Sequence, residues 1–170
     1  EQMDYYNGAG VDITYMGIGE LGEDGSVNST KMGVRCTGAG GFIDITQNAK
    51  KVVFLGTFTA GGAKYKFENR KLEILQEGKI RKMVRQVAQL SFNGPMARKK
   101  GQEVMVVTER AVFQLVKDGV ELIEIAPGID LRTQILDKMD FKPIISKNLR
   151  VMDERLFVQD GPFGLKLKEK

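Results

Sequence analysis

The chain has no histidine and no tryptophan, and only one cysteine and four prolines among its 170 residues. Each shortage excludes something. Without His, this chain supplies no Ser-His-Asp or Cys-His catalysis. Zinc would have to be held by carboxylates and one thiol, a poor ligand set for that metal. A single Cys, Cys36, allows no disulfide within the chain and fits a reducing, cytoplasmic compartment. No apolar run approaches the roughly 20 residues that span a bilayer, so no membrane partner is expected. The first ten residues, EQMDYYNGAG, are polar and acidic and do not read as a signal peptide. They do not open on Met, so the sequence reads as a piece of a longer protein.

A dominant charge is lacking too. The 26 Lys and Arg face 22 Asp and Glu, for a formal charge of +4. Basic residues gather in three short clusters, Lys64–Lys71, Lys79–Arg85 and Arg98–Lys100. These read as solvated faces and loops, too sparse in charge and aromatics for a nucleic-acid surface. A positive surface still favours an anionic ligand such as a phosphate. What is present is ordinary for one globular domain: 42% hydrophobic and 28% charged residues. A chain of this length buries roughly two-thirds of its unfolded surface.

Periodicity places the elements. Residues 11–18, VDITYMGI, read as a strand. After a turn at Gly22, Asp24 and Gly25, Val27–Met32 reads as the next strand, closing a hairpin with it. Gly41–Ala49, between a glycine loop and a strand, is expected to be a short helix. Lys51–Leu55, KVVFL, has the apolar run of a buried central strand. Residues 56–63 read as a loop, and 72–76 as an edge strand. Residues 79–90 fit a helix and a strand equally well. Asn93-Gly94-Pro95 reads as a breaker. Val104–Thr108, Ala111–Val116 and Val120–Ile125 read as strands, with a tight turn at Asp118-Gly119. Asp130 is a candidate cap for a helix through about Lys138, with Leu131, Ile135 and Met139 on one face. The tail from Ser146 is mixed, and its last residues read as frayed. Strands before and after helices indicate an α/β layer with a mixed sheet.

Chemistry concentrates in two glycine loops. Gly38-Ala39-Gly40-Gly41 precedes the expected helix. Its glycines would let backbone N–H groups approach a phosphate, a carboxylate or a developing oxyanion. The plain alternative is a tight connection that needs positive φ. Gly56 to Gly62 follows the apolar strand. There Thr57 and Thr59 are candidate donors and Lys64 a candidate phosphate contact, the alternative being a surface loop whose threonines bond their own backbone. Asp44 reads as a first-turn acid. Glu109 reads as a turn acid pairing with Arg110 or a neighbour. Cys36 has no nearby base to activate it and reads as a buried or half-buried structural thiol.

Five stretches, taken in order, resemble the C-terminal portion of a family I coenzyme A transferase of the acetate/propionate branch. They are YNGAGVDITYMGIGELGEDGSVN, GAGGFIDITQNAKKVVFLGTFTAGG, VTERAVFQL, LIEIAPGIDLRTQILDKMDFKPIIS and MDERLF. Together they cover almost all of residues 5–157. The resemblance implies the open α/β sandwich shared with glucosamine-phosphate deaminase and ribose-phosphate isomerase. It implies CoA transfer from an acyl-CoA to a short-chain carboxylate through an enzyme glutamyl-CoA thioester. Coenzyme A would be a substrate, with no permanently bound cofactor. Gly38, Gly40, Gly41 and Phe42 would line the acyl and oxyanion region. The family's nucleophilic glutamate lies in an E-S/N-G motif, and neither Glu1 nor Glu20 matches it. Residues 1–170 would then be most of the C-terminal domain, inactive alone. The partners would be an N-terminal domain of the same polypeptide and, at full length, further copies of the protein. A non-catalytic CoA- or nucleotide-binding module and an acyl-CoA hydrolase are the competing readings.

Overall fold

The computed structural model describes residues 2–8 and 10–158. Its spine is a six-stranded sheet whose spatial order follows the sequence. The strands are β1 (Ile13–Gly17), β2 (Lys51–Leu55), β3 (Glu103–Val107), β4 (Ala111–Val116), β5 (Gly119–Ile125) and β6 (Ile144–Val151). β1, β2 and β3 run parallel. β4 and β5 are antiparallel additions, and β6 is again parallel to β5. This is the mixed sheet expected from the alternation of strands and helices.

Among the described residues four α-helices accompany it: α1 (Gln2–Asn7), α2 (Phe42–Asn48), α3 (Gly94–Lys100) and α4 (Leu131–Gln134). α2 starts where expected and packs Phe42 on Phe54 of β2, ring centroids 5.8 Å apart. Phe54 in turn meets Phe92 edge-on at 5.2 Å. Offset and edge contacts of this kind are the favoured aromatic geometries. The last carbonyls of α2 are not orphaned, because the Gln102 amide donates to Thr46 O and Ala49 O.

Asn93-Gly94-Pro95 does more than break the chain. The Asn93 side chain accepts from Met96 N at 2.9 Å, Pro95 occupies the first turn, and Gly101 closes α3 at φ 71°. Residues that stop one element are the ones that cap the next. Asn93→Ala is expected to cost about 1 kcal/mol, a fall of roughly 2–4 °C in thermal midpoint for a domain of this size. A midpoint unchanged within a degree by calorimetry would show that the cap contributes nothing.

The hairpin expected between 11–18 and 27–32 is not formed. β1 pairs with β2 instead, while Val27–Asn28 folds back on Glu20–Gly22 in a separate small sheet with Met83–Val84. A strand that loses its neighbour in sequence to a parallel partner cannot be recognised from local turn chemistry. Residues 72–76 do form a strand, Lys71–Gln76. It pairs with Lys64–Glu68 as a ribbon, so the first basic cluster is a strand and a turn. Asn69 and Arg70 both adopt positive φ, 51° and 58°, as a tight hairpin turn requires. No glycine marks that turn, which hid the ribbon. Residues 79–90 resolve into the two short strands Ile80–Arg81 and Met83–Val84. Asp130 caps α4 as expected, but the helix stops at Gln134 and a 3-10 turn at Leu136–Lys138 follows. The tail read as mixed includes a full strand, β6, and its last residues, read as frayed, lie outside the described residues.

Candidate functional site

Three parallel strands end together, at Gly17-Ile18-Gly19, Gly56-Thr57-Phe58 and Thr108-Glu109-Arg110. Ligands of open α/β sheets sit beyond such carboxyl ends. α2 joins β2 through only Ala49 and Lys50, so it runs back along the sheet. Its glycine-rich start therefore lies at this same end.

The first glycine loop is a shaped turn. Gly38 and Gly40 hold φ of 79° and 52°, the left-handed region that only glycine enters freely. A Cβ at either would meet nothing within 4 Å, so both face open space. Gly41 has φ −85°, an ordinary conformation. Phe42 N donates to Ala39 O at 2.9 Å, and the N–H groups of Gly40 and Gly41 take no partner among the described residues. The Phe42 ring is buried in the core, so this residue anchors the turn from beneath.

A buried amide holds the approach to that turn. The Asn28 amide is fully enclosed; its oxygen accepts from Thr30 N and Lys31 N, and its nitrogen donates to Glu20 Oε2 at 2.8 Å. Thr37 N then bonds Thr30 O at 2.9 Å and delivers the chain to Gly38. Glu20, which matched no catalytic motif, is thus a structural acceptor that also takes Ala88 N.

The second loop is clamped by charge. Phe58 N donates to Glu109 Oε2, and Thr57 O accepts from the Lys82 ammonium, both at 2.8 Å. A Cβ on Gly56 would stand 2.7 Å from Ile18 Cγ2 and 3.0 Å from Lys82 Nζ, so glycine is required there by close packing. Burial pushes the Lys82 ammonium below its ordinary pKa, with the Glu109 charge opposing. Thr57 is exposed at the site, as is Lys64 at the start of the ribbon, opposite Gln76. Thr59 is buried and its hydroxyl donates to Glu77 Oε1 and accepts from Gly78 N. That threonine serves the protein's own backbone, the alternative open at the sequence level.

Arg110 is the centre of the clamp and is fully buried. Its guanidinium grips Glu77 with two bonds, 2.8 and 2.9 Å, and Glu109 through Nε at 2.8 Å. It also donates to Gln134 O at 3.1 Å and lies 4.9 Å over the Phe58 ring. Glu109 therefore does pair with Arg110. The Tyr65 hydroxyl is buried beside this group without a hydrogen-bond partner among the described residues. Burial first, then the Glu109 charge, pushes its pKa up to about 12. For Glu77, burial works to raise the carboxyl pKa, but the bonds from Arg110 and Thr59 outweigh it and lower it. A lowered folded-state pKa adds stability that is present above the unfolded value and lost as pH falls. Stability is therefore expected to decline below about pH 4.5, the ordinary value for this group, and Glu77→Gln should flatten that decline. Thermal midpoints between pH 7 and pH 3 that fall identically in both proteins would remove Glu77 from the account. Glu77, Lys82 and the depth of Arg110 were not found by reading the sequence. The available signal was Glu-Arg wedged in the apolar stretch VTERAVF.

Cys36 is exposed, which corrects the expectation of a buried thiol. It ends the two-residue strand Arg35–Cys36, paired with Lys31–Met32 in a projecting hairpin too small to enclose anything. Cys36→Ser should change stability by less than about 0.5 kcal/mol, and the thiol should react completely with a thiol reagent in the native state. A native protein that resists thiol reagents would contradict this placement. Among the described residues, no group of three His, Cys, Asp or Glu is arranged to hold a metal ion. No described helix is long and apolar enough to cross a membrane.

No protein-family model matches the chain. It is 47% identical over 168 residues to the acetate CoA-transferase YdiF of Escherichia coli K12, covering 99% of this chain and 32% of that protein. Over nearly its whole length the chain matches a segment of the family I coenzyme A transferases. It is also 45% identical over 159 residues to the caffeate CoA-transferase of Acetobacterium woodii, covering 91% of this chain and 30% of that family member. The crystal structure of the E. coli O157:H7 acyl-CoA transferase YdiF, a thioester complex with CoA, superposes with a TM-score of 0.95. That match has 47% identity and covers 99% of this chain and 33% of the YdiF chain. The fold is the α/β fold of these CoA-transferases. The chain spans about a third of the length of the relatives it matches.

Proposed function

We propose that residues 1–170 form the acyl-CoA side of the active site in a short-chain acyl-CoA:carboxylate CoA-transferase. The observation that carries this reading is the 47% identity, over nearly the whole chain, to an acetate CoA-transferase. Acetate, propionate and acetoacetate are the proposed acyl groups and acceptors, in a cytoplasmic homo-oligomer.

In this reading a glutamate outside residues 1–170 is the nucleophile. Its carboxylate oxygen attacks the thioester carbonyl, the C–S bond breaks, and the CoA thiolate leaves behind an acyl-glutamyl anhydride. The thiolate attacks the glutamyl carbonyl and expels the acyl group as a free carboxylate, giving a glutamyl-CoA thioester. An acceptor carboxylate then runs the same two steps in reverse. Every step trades a carboxylate for a thiolate, so no proton carrier is required and the absence of His is no obstacle. Each tetrahedral intermediate develops an oxyanion, which the free N–H groups of Gly40 and Gly41 are suited to receive. Thr57, at the neighbouring strand end, is the candidate for a polar contact with CoA.

The test is acyl exchange. The longer protein should form propionyl-CoA from acetyl-CoA and propionate, and purified 1–170 should form none. Turnover by the 170 residues alone would refute the outside nucleophile. Acyl-CoA loss without an acceptor would indicate a hydrolase, and CoA binding without turnover a binding module.

A further inference from the structure

The turn from Gly38 to Gly41 has little of its own to hold it in place. Gly38 and Gly40 have no side chain and face open space. The N–H groups of Gly40 and Gly41 take no partner among the described residues. Glycine also leaves the backbone freer than any other residue does. An oxyanion donor, however, must already stand about 2.7–3.1 Å from where the oxygen forms. The position of the turn therefore has to come from its two ends.

The exit is fixed by Phe42, which is buried and stacks on Phe54. The entry is Thr37. Its N–H donates to Thr30 O at 2.9 Å and its hydroxyl to the same oxygen at 3.3 Å. Residues 31–36 between them are all exposed, so the route from the core to Thr37 runs through Thr30. Asn28 sets Thr30. Its Oδ1 accepts from Thr30 N and Lys31 N, both at 3.1 Å. Its Nδ2 donates to Lys31 O at 2.6 Å and to Glu20 Oε2 at 2.8 Å. Its own carbonyl accepts from Gly19 N at 2.9 Å, just beyond the end of β1. The side chain is fully buried, and its oxygen and nitrogen both carry two bonds, a set that only a carboxamide supplies. Ser91 Oγ meets the Thr30 hydroxyl at 2.8 Å, which steadies that side chain but leaves the Thr30 N–H to Asn28.

We propose that Asn28 is a positioning residue of the transfer reaction, setting where the Gly40 and Gly41 N–H groups stand against the reacting carbonyl. The proposal rests on the oxyanion role given to that turn. Asn28 is enclosed and acts only through Thr30 and Thr37. A displacement of about 1 Å far from the chemistry is enough to cost about 10²-fold in rate. An asparagine with a merely structural role would lower stability and leave the rate of each surviving site unchanged.

Four variants of the full-length gene product test it, with acetyl-CoA and propionate as substrates: Asn28→Ala, Asn28→Asp, Gly41→Val and Asn93→Ala. In Asn28→Ala, kcat per titrated active site should fall about 100-fold, with KM for both substrates within about threefold of the parent. Asn28→Asp keeps the shape and the accepting oxygen, but loses both donated bonds and sets a second carboxylate beside Glu20. Its kcat should fall about tenfold, which keeps the test open if Asn28→Ala does not fold. Asn93→Ala, which loses the cap of α3, should lower the thermal midpoint and keep kcat within about twofold. Hydrogen exchange over residues 30–38 should quicken about tenfold in Asn28→Ala, and exchange over residues 51–55 should not change. Normal kcat per titrated site in the Asn28 variants, beside a slow Gly41→Val, would overturn the proposal and leave the oxyanion reading standing. So would a change in KM alone, or unaltered exchange over residues 30–38. A Gly41→Val protein as fast as the parent would refute the oxyanion reading itself, and the role of Asn28 with it.

Discussion

Arg110→Met should cost the fold about 3–5 kcal/mol, the usual penalty for removing one member of a buried ion pair. In a domain of this size that is a fall of roughly 6–20 °C in thermal midpoint. The reason is what is left behind. Methionine fills the space, but Glu77 and Glu109 then face each other without their shared cation. Their side chains retain 25% and 13% exposure, so residual hydration places the loss near the lower end of that range. Arg110→Lys should recover little, because a point charge cannot serve two Glu77 oxygens, a Glu109 oxygen and Gln134 O in their different directions. The pH dependence separates lost charge pairing from lost packing. With Arg110 present, Glu77 is held as the carboxylate, and acid weakens the fold. In Arg110→Met only the Thr59 and Gly78 bonds still oppose burial, so the Glu77 pKa rises and acid should weaken the variant less than it weakens the parent. Midpoints at pH 7 and pH 4 decide it. A variant that loses less than 1 kcal/mol, or whose midpoint falls in acid as the parent's does, would show that the clamp is not held by charge.

At the glycine turn the expected effect is on rate. On the proposed oxyanion role, Gly41→Val in the full-length gene product should lower kcat by about 10²–10³, or about 3–4 kcal/mol, the usual consequence of disabling one oxyanion donor. The geometry sharpens this experiment. At φ −85° Gly41 lies where valine is not strained, whereas Gly40 at φ 52° lies where it is. Gly40→Val would thus mix folding with function, and Gly41→Val should not. Its thermal midpoint is expected to stay within about 2 °C, an effect under about 1 kcal/mol. The measurement is kcat per titrated active site, with the midpoint taken on the same preparation. An unchanged kcat would leave the turn with a purely conformational role, and a large loss of midpoint would locate the damage in folding.

Much of this was legible along the chain. KVVFL could only be a buried strand, since both of its faces are apolar, and the structure makes it β2. Glycines followed by Phe42, Ile43 and Ile45 gave a short helix, and Asp130 gave a cap. The five family stretches named the fold, and they did so in sequence order. All these signals are local: a side-chain period, a capping oxygen, a glycine where φ must be positive.

What stayed hidden depends on residues far apart in sequence. Arg110 looked like half of a surface pair with Glu109. It is the buried centre of a clamp because Glu77, 33 positions earlier, and the Gln134 carbonyl converge on it. Lys82 sat in a run of surface-like charges until the Thr57 carbonyl and Gly56 closed around it. Cys36 read as a structural thiol because no base stands near it in sequence, but residues 31–36 fold into an exposed hairpin. Sequence alone determined the strands Lys51–Leu55, Glu103–Val107, Ala111–Val116 and Gly119–Ile125, the helix after the glycines, the cap at Asp130, the two glycine loops and the family resemblance, because each is written in contiguous residues. The tertiary structure decided the parallel pairing of β1 with β2, the burial of Arg110 and the exposure of Cys36. Those depend on which distant segments meet, and no local period records that.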